Sequence, residues 1–71
     1  MKYLIINYDG DETFYELADI NKIVSDYAQN IFSEADIADN DLKPLEMVTV
    51  IYLKNGTACT YRTAKLEMSF D

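Results

Sequence analysis

Histidine and tryptophan are absent from this chain, cysteine and proline occur once each, and glycine occurs twice. Without histidine there is no imidazole for a metal cluster or for a Ser–His or Cys–His catalytic set. The single cysteine, Cys59, cannot close an internal disulfide, so no covalent staple supports the fold. Gly10 and Gly56 are too few for a phosphate-cradling loop, and each sits in a turn-forming cluster instead. No apolar run approaches the ~20 residues that a membrane helix needs. The opening Met1-Lys2-Tyr3-Leu4-Ile5-Ile6 starts like a secretory leader. It ends at Asn7, Tyr8 and Asp9, with no small-residue cleavage site. A lone cysteine without a leader points to a reducing, cytoplasmic setting.

Basic residues are scarce as well. Six Lys and Arg stand against thirteen Asp and Glu, for a net charge of −7. Nucleic acid and anionic membranes are bound by Lys and Arg, so direct binding to either is disfavoured. Six tyrosines and three phenylalanines offer stacking surfaces for bases, but the scattered cations supply no positive groove beside them. The charge suits a basic protein surface instead.

What the chain has in quantity is apolar surface. Hydrophobic residues make up 49% of it, far above a disordered acidic tail. Seventy-one residues make one domain. A chain this short buries only ~60% of its unfolded surface, and a domain without staples often gains stability by oligomerising.

The most regular stretch runs from Asp19 to about Ala35. Ile20, Ile23, Val24, Tyr27, Ala28, Ile31 and Phe32 recur at the spacing of one helical face, with polar residues between them. Asp19 stands in the N-cap position. The pattern predicts one helix that seals the core through Ile23, Val24, Tyr27, Ile31 and Phe32. Ile37 and Ala38 extend the stripe by a turn, and Pro44 closes the polar connection 36–45.

Strands flank this stretch. Residues 2–8 are β-branched and aromatic, and Thr13–Leu17 returns after an Asp9–Glu12 loop. A four-residue loop pairs Tyr8 with Thr13 and puts Leu4, Ile6, Tyr8, Tyr15 and Leu17 on one face. Glu46–Lys54 is the clearest strand. Asn55-Gly56 predicts a two-residue type I′ hairpin turn, which pairs Tyr52 with Cys59 and Val50 with Tyr61. One face is then Val48, Val50, Tyr52, Cys59 and Tyr61, and residues 65–70 continue the returning strand after a bend. No internal repeat at a fixed period is visible. The expected fold is a small α+β, two-layer ββαββ domain: an antiparallel four-stranded sheet with one helix on one face.

Few residue sets suit chemistry. Neither Asp9-Gly10-Asp11 nor Asp39-Asn40-Asp41 meets EF-hand spacing, because position 6 is Phe14 in one and Pro44 in the other. No cofactor, metal ligand or catalytic residue is therefore assigned. Cys59 falls on the expected core face, where a thiol acts as a small hydrophobe. Asn55-Gly56-Thr57 matches a glycosylation pattern, but hairpin geometry explains it.

Two acidic groups remain, Asp9, Asp11, Glu12, Glu16 and Asp19 before the helix and Glu34, Asp36, Asp39 and Asp41 after it, and they are expected to make up one surface. They make the leading functional expectation a non-enzymatic protein-binding module. It would act as an inhibitor or adaptor, mimicking nucleic-acid charge on a basic, nucleic-acid-binding protein. The alternative is a homodimeric structural or accessory domain. One helix leaves one sheet face bare, with Tyr3, Ile5, Asn7, Phe14 and Glu16 of the first hairpin and Ile51 and Leu53 of the second on it, and Ile5, Phe14, Ile51 and Leu53 are its expected dimer residues.

Overall fold

A computed structural model describes residues 2–71. Strands β1 (Tyr3–Tyr8) and β2 (Asp11–Glu16) form one hairpin, and β4 (Met47–Leu53) and β5 (Ala58–Arg62) form another. A 3-10 turn, Leu17–Asp19, leads from β2 into β3 (Ile20–Tyr27), and a second, Thr63–Lys65, leads from β5 into β6 (Leu66–Phe70). Two short helices, α1 (Ala28–Ile31) and α2 (Glu34–Asp39), lie between β3 and β4. The strands make two antiparallel three-stranded sheets, ordered β2-β1-β6 and β3-β4-β5. The expected single four-stranded sheet with one long helix is therefore incorrect, although the chain remains a small α+β domain.

The helix expected over 19–35 is instead a strand followed by two short helices. Ile20 pairs with Leu53 and Lys22 with Tyr52, so Asn21 is an extra residue in the ladder. That bulge brings Ile20 and Ile23, three apart, onto the same face of the strand. The helical spacing of the stripe is thus also the spacing of a bulged strand. Pairing along β4 and the strand preference of Ile20, Ile23, Val24 and Tyr27 then decide between the two. Helical packing begins only at Ala28. Ser33 starts α2, its Oγ accepting the Asp36 N–H at 3.2 Å.

Turn length sets which side chains face inward. Asp9 and Gly10 both carry positive φ, 51° and 92°, which is the type I′ turn expected at the other hairpin. Tyr8 therefore pairs with Asp11 rather than Thr13. The shift is two residues, so Leu4, Ile6, Tyr8, Tyr15 and Leu17 still share a face. At the second hairpin Asn55 keeps a negative φ and only Gly56, at 92°, is positive. The Gly56 N–H donates to the Leu53 carbonyl (3.1 Å) and the Leu53 N–H to the Thr57 carbonyl (2.9 Å). Lys54-Asn55-Gly56 is thus a three-residue loop ending in a glycine bulge. The extra residue slips the register by one, pairing Ile51 with Cys59 and Thr49 with Tyr61. One slip exchanges the two faces of β4. Thr49, Ile51 and Leu53 point between the sheets, and Val48, Val50 and Tyr52 point outward.

The two halves are versions of one unit, hairpin, 3-10 turn and third strand, although the sequence shows no repeat at a fixed period. Ile6 corresponds to Ile51, Gly10 to Gly56, Tyr15 to Tyr61 and Ala18 to Ala64. In each half the third strand leaves its own hairpin and pairs with the first strand of the other, β3 with β4 and β6 with β1. The exchange is tied at matching points: the Lys54 N–H donates to the Asp19 carbonyl (2.9 Å), and the Asp9 N–H to the Lys65 carbonyl (3.3 Å). Where the halves meet, the Tyr15 and Tyr61 hydroxyls are hydrogen-bonded at 2.7 Å.

Leu4, Ile6 and Ile51 form the wholly buried centre between the sheets, with Tyr8, Ile23, Leu53 and Tyr61 packed around them. Buried Thr49 bonds to Ser25 (2.8 Å) and Thr63 (2.9 Å), so it leaves no unpaired hydroxyl. A second cluster, Ala28, Ile37 and Val48, fixes the helices to the outer face of the β3-β4-β5 sheet. Phe32 is only half-buried at its margin.

Ile51→Ala should cost ~2–5 kcal/mol, comparable to the whole stability of a marginal domain. Phe32→Ala should cost less. Denaturant melts that reverse this order would place the core at the helices instead. Gly10→Ala and Gly56→Ala meet nothing within 4 Å, so their cost is backbone strain alone, about 1 kcal/mol each.

Candidate functional site

The acidic residues separate into two places. Asp9 and Asp11 are exposed at the first hairpin turn, and Glu12 stands opposite Asn7 on the outward side of the β2-β1-β6 sheet. Glu34, Asp36 and Asp39 belong to α2, which covers the outer face of the other sheet. The two groups therefore lie on opposite sides of the two-layer domain and do not form one surface. The second group also has a local explanation. Glu34 and Asp36 occupy the first turn of α2, where backbone N–H groups favour negative charge.

The Glu46 carboxylate and the Asp41 backbone carbonyl serve the fold. The Arg62 guanidinium is paired with the Glu46 carboxylate (2.5 Å) and donates to the Asp41 carbonyl (2.8 Å). The Lys43 N–H also donates to Glu46, at 3.2 Å. These contacts hold segment 41–46 against β5. The Lys43 N–H first, then Arg62, keep the Glu46 carboxyl below the usual carboxylate range. Asp26 is lowered too, by bonds from the Asn30 amide and the Tyr27 N–H. Tyr15 is raised above the ordinary tyrosine range by burial first, and then by the neighbouring Cys59 thiol and the Tyr61 hydroxyl.

The four expected dimer residues also divide. Ile5 and Phe14 are partners across β1 and β2 on an outward face. Ile51 is wholly buried and Leu53 packs in the central cluster, because the register slip turned both inward. The dimer face as expected does not exist.

A smaller surface stands in its place, the outer face of the β2-β1-β6 sheet. Its centre is Tyr3, Ile5 and Phe14. Phe14 is 56% exposed, and its ring meets Tyr3 edge-on at 6.4 Å. Glu12 and Glu16 on β2 and Glu67 on β6 alternate onto the same side, paired with Asn7, Tyr3 and Asn7. No outward position of these three strands is Lys or Arg. Beyond Phe14 and Glu16 the surface runs into an open cleft of about 390 Å³, bounded by Asp19, Leu53 and Lys54. Sequence reasoning placed Tyr3, Ile5, Asn7, Phe14 and Glu16 on this face and took Glu12 for a turn residue, but it missed Glu67 as their neighbour. The pairing of β6 with β1 was not visible.

Among the described residues no three Cys, Asp or Glu side chains are grouped to hold a metal ion. None of the described helices is long and apolar enough to cross a membrane.

Lowered Glu46 contributes stability above the ordinary carboxylate value of ~4.3 and loses it as pH falls through its own lower value. Glu46→Gln should therefore be less stable than wild type in urea melts at pH 7, with a deficit that shrinks as the pH is taken down into the acid range. A deficit that does not change with pH would remove the ionised carboxylate from the explanation.

No protein-family model matches this chain, and no match is found among the curated proteins or the solved structures.

Proposed function

We propose that this chain is a protein-binding module rather than an enzyme, and that it docks on a basic protein surface as an inhibitor or adaptor. The observation that carries the proposal is the outer face of the β2-β1-β6 sheet, with Tyr3, Ile5 and exposed Phe14 at its centre and Glu12, Glu16 and Glu67 around them. An apolar, aromatic centre with a charged rim is the usual anatomy of a protein interface.

The net charge of −7 favours a basic partner over a second copy. Two such faces brought together would set Glu12, Glu16 and Glu67 of both chains side by side, and like charges at an interface oppose association.

The test starts from partners captured in the source cell, followed by stopped-flow association. Each exposed pair contributes ~0.2–1 kcal/mol, so single changes have small effects. Glu12→Gln, Glu16→Gln and Glu67→Gln together should slow association and flatten its salt dependence, since steering follows the summed field. Asp36→Asn, Asp39→Asn and Asp41→Asn together should slow it less. Equal effects of the two triple variants would detach binding from this face. A wild-type dimer that Phe14→Ser converts to a folded monomer would replace the reading with the homodimeric one.

A further inference from the structure

The two sheets are equivalent halves of one repeat, yet among the described residues only one has its outer face covered. On the β3-β4-β5 sheet, outward Val48 and Val50 are 0% and 1% exposed. Val48 lies beneath Ala28 and Ile37, with Ile31 and Phe32 alongside. In the repeat, Tyr3 corresponds to Val48 and Ile5 to Val50. Neither is fully buried, and Phe14 beside them is exposed. The covered face thus shows what the bare one accommodates, short helical turns with apolar residues spaced as in Ala28, Ile31 and Phe32.

Charge gives the second half of the argument. The cover is clamped by Arg62, which reaches from its sheet to Glu46 and to the Asp41 carbonyl in segment 41–46. The residue equivalent to Arg62 on the bare face is Glu16, opposite Tyr3 as Arg62 is opposite Val48. The sign of the clamp is reversed. Lys22, outward on the covered face, likewise corresponds to Glu67.

We infer that the outer face of the β2-β1-β6 sheet receives a short basic amphipathic helix of a partner protein. Its apolar side lies on Tyr3, Ile5 and Phe14, and a Lys or Arg takes the place opposite Glu16 that Glu46 takes opposite Arg62. This rests on the proposed binding role and adds the shape and sign of the element bound.

The probe is a synthetic peptide of residues 27–46 in which Glu34, Asp36, Asp39, Asp41 and Glu46 are each replaced by Lys. It is titrated into the ¹⁵N-labelled protein. Chemical-shift changes should centre on Tyr3, Ile5, Phe14 and Glu16, with helical signal appearing in the peptide. Phe14→Ser and Glu16→Lys should each weaken binding at least tenfold, while Glu34→Gln should leave it within twofold. The Glu16→Lys protein should instead bind the unaltered acidic peptide. Shift changes spread over α2, or no binding at millimolar peptide, would overturn the inference. Equal binding of the lysine peptide with its helix broken by proline would also overturn it, while leaving the basic-partner role intact. Self-association lost in Phe14→Ser, with no peptide binding, would overturn both.

Discussion

The exchange of third strands between the two hairpins is the constraint on which the rest depends. A two-stranded hairpin is marginal in water, and a third strand is needed for a stable sheet. Each half supplies the other's third strand, so neither sheet is complete until both hairpins are present. The 3-10 turns Leu17–Asp19 and Thr63–Lys65 make the crossing, and the carbonyls of Asp19 and Lys65 accept N–H groups from Lys54 and Asp9. The inward faces thus meet with Leu4 and Ile6 on one side and Ile51 on the other. Tyr15 and Tyr61 bond where the halves join, inside a space that would otherwise strand two phenols. A chain with no disulfide reaches a buried core by this reciprocal pairing.

The symmetry is incomplete, and the proposed function rests on that incompleteness. The excursion between β3 and β4 leaves and returns side by side: the Ala28 N–H donates to the Glu46 carbonyl at 2.8 Å and the Gln29 N–H to the Pro44 carbonyl at 3.0 Å. It folds over Val48 and is clamped to Arg62. The other sheet carries larger apolar groups on its outer face, Tyr3, Ile5 and Phe14, with carboxylates where its counterpart has Lys22 and Arg62. A face that is only solvated alternates polar residues outward. This one departs from that pattern at its centre, and the charges at its outward strand positions, Glu12, Glu16 and Glu67, are all negative. Both departures suit an interface better than a solvated surface.

The acidic residues illustrate how one composition serves two purposes. Glu34 and Asp36 stabilise a helix start, and Glu46 anchors a loop through Arg62. Glu12, Glu16 and Glu67 have no such local partner among the bonds described above, and they surround exposed aromatic surface. A summed charge of −7 does not distinguish these roles. Burial, hydrogen bonds and neighbours across the strands do.

Local chemistry in the sequence determined the two hairpins, the turn glycines, the alternating face of Leu4, Ile6 and Tyr8, and the placement of Ile5 and Phe14 together on the opposite face, though not the register that pairs them. These follow from residues close together in the chain, where period and turn preference act directly. Tertiary structure alone decided the rest. A helical stripe and a bulged strand share their spacing at Ile20 and Ile23, so only the presence of β4 alongside chose the strand. Asn-Gly is compatible with two turn lengths, and one residue of difference sent Ile51 and Leu53 inward. The repeat stayed hidden because that extra turn residue changes its period midway and few equivalent positions are identical. Joining β6 to β1, which puts Glu67 beside Asn7, is a contact between the two ends of the described chain. No local pattern encodes it, because its energy comes from closing a sheet that neither half can complete.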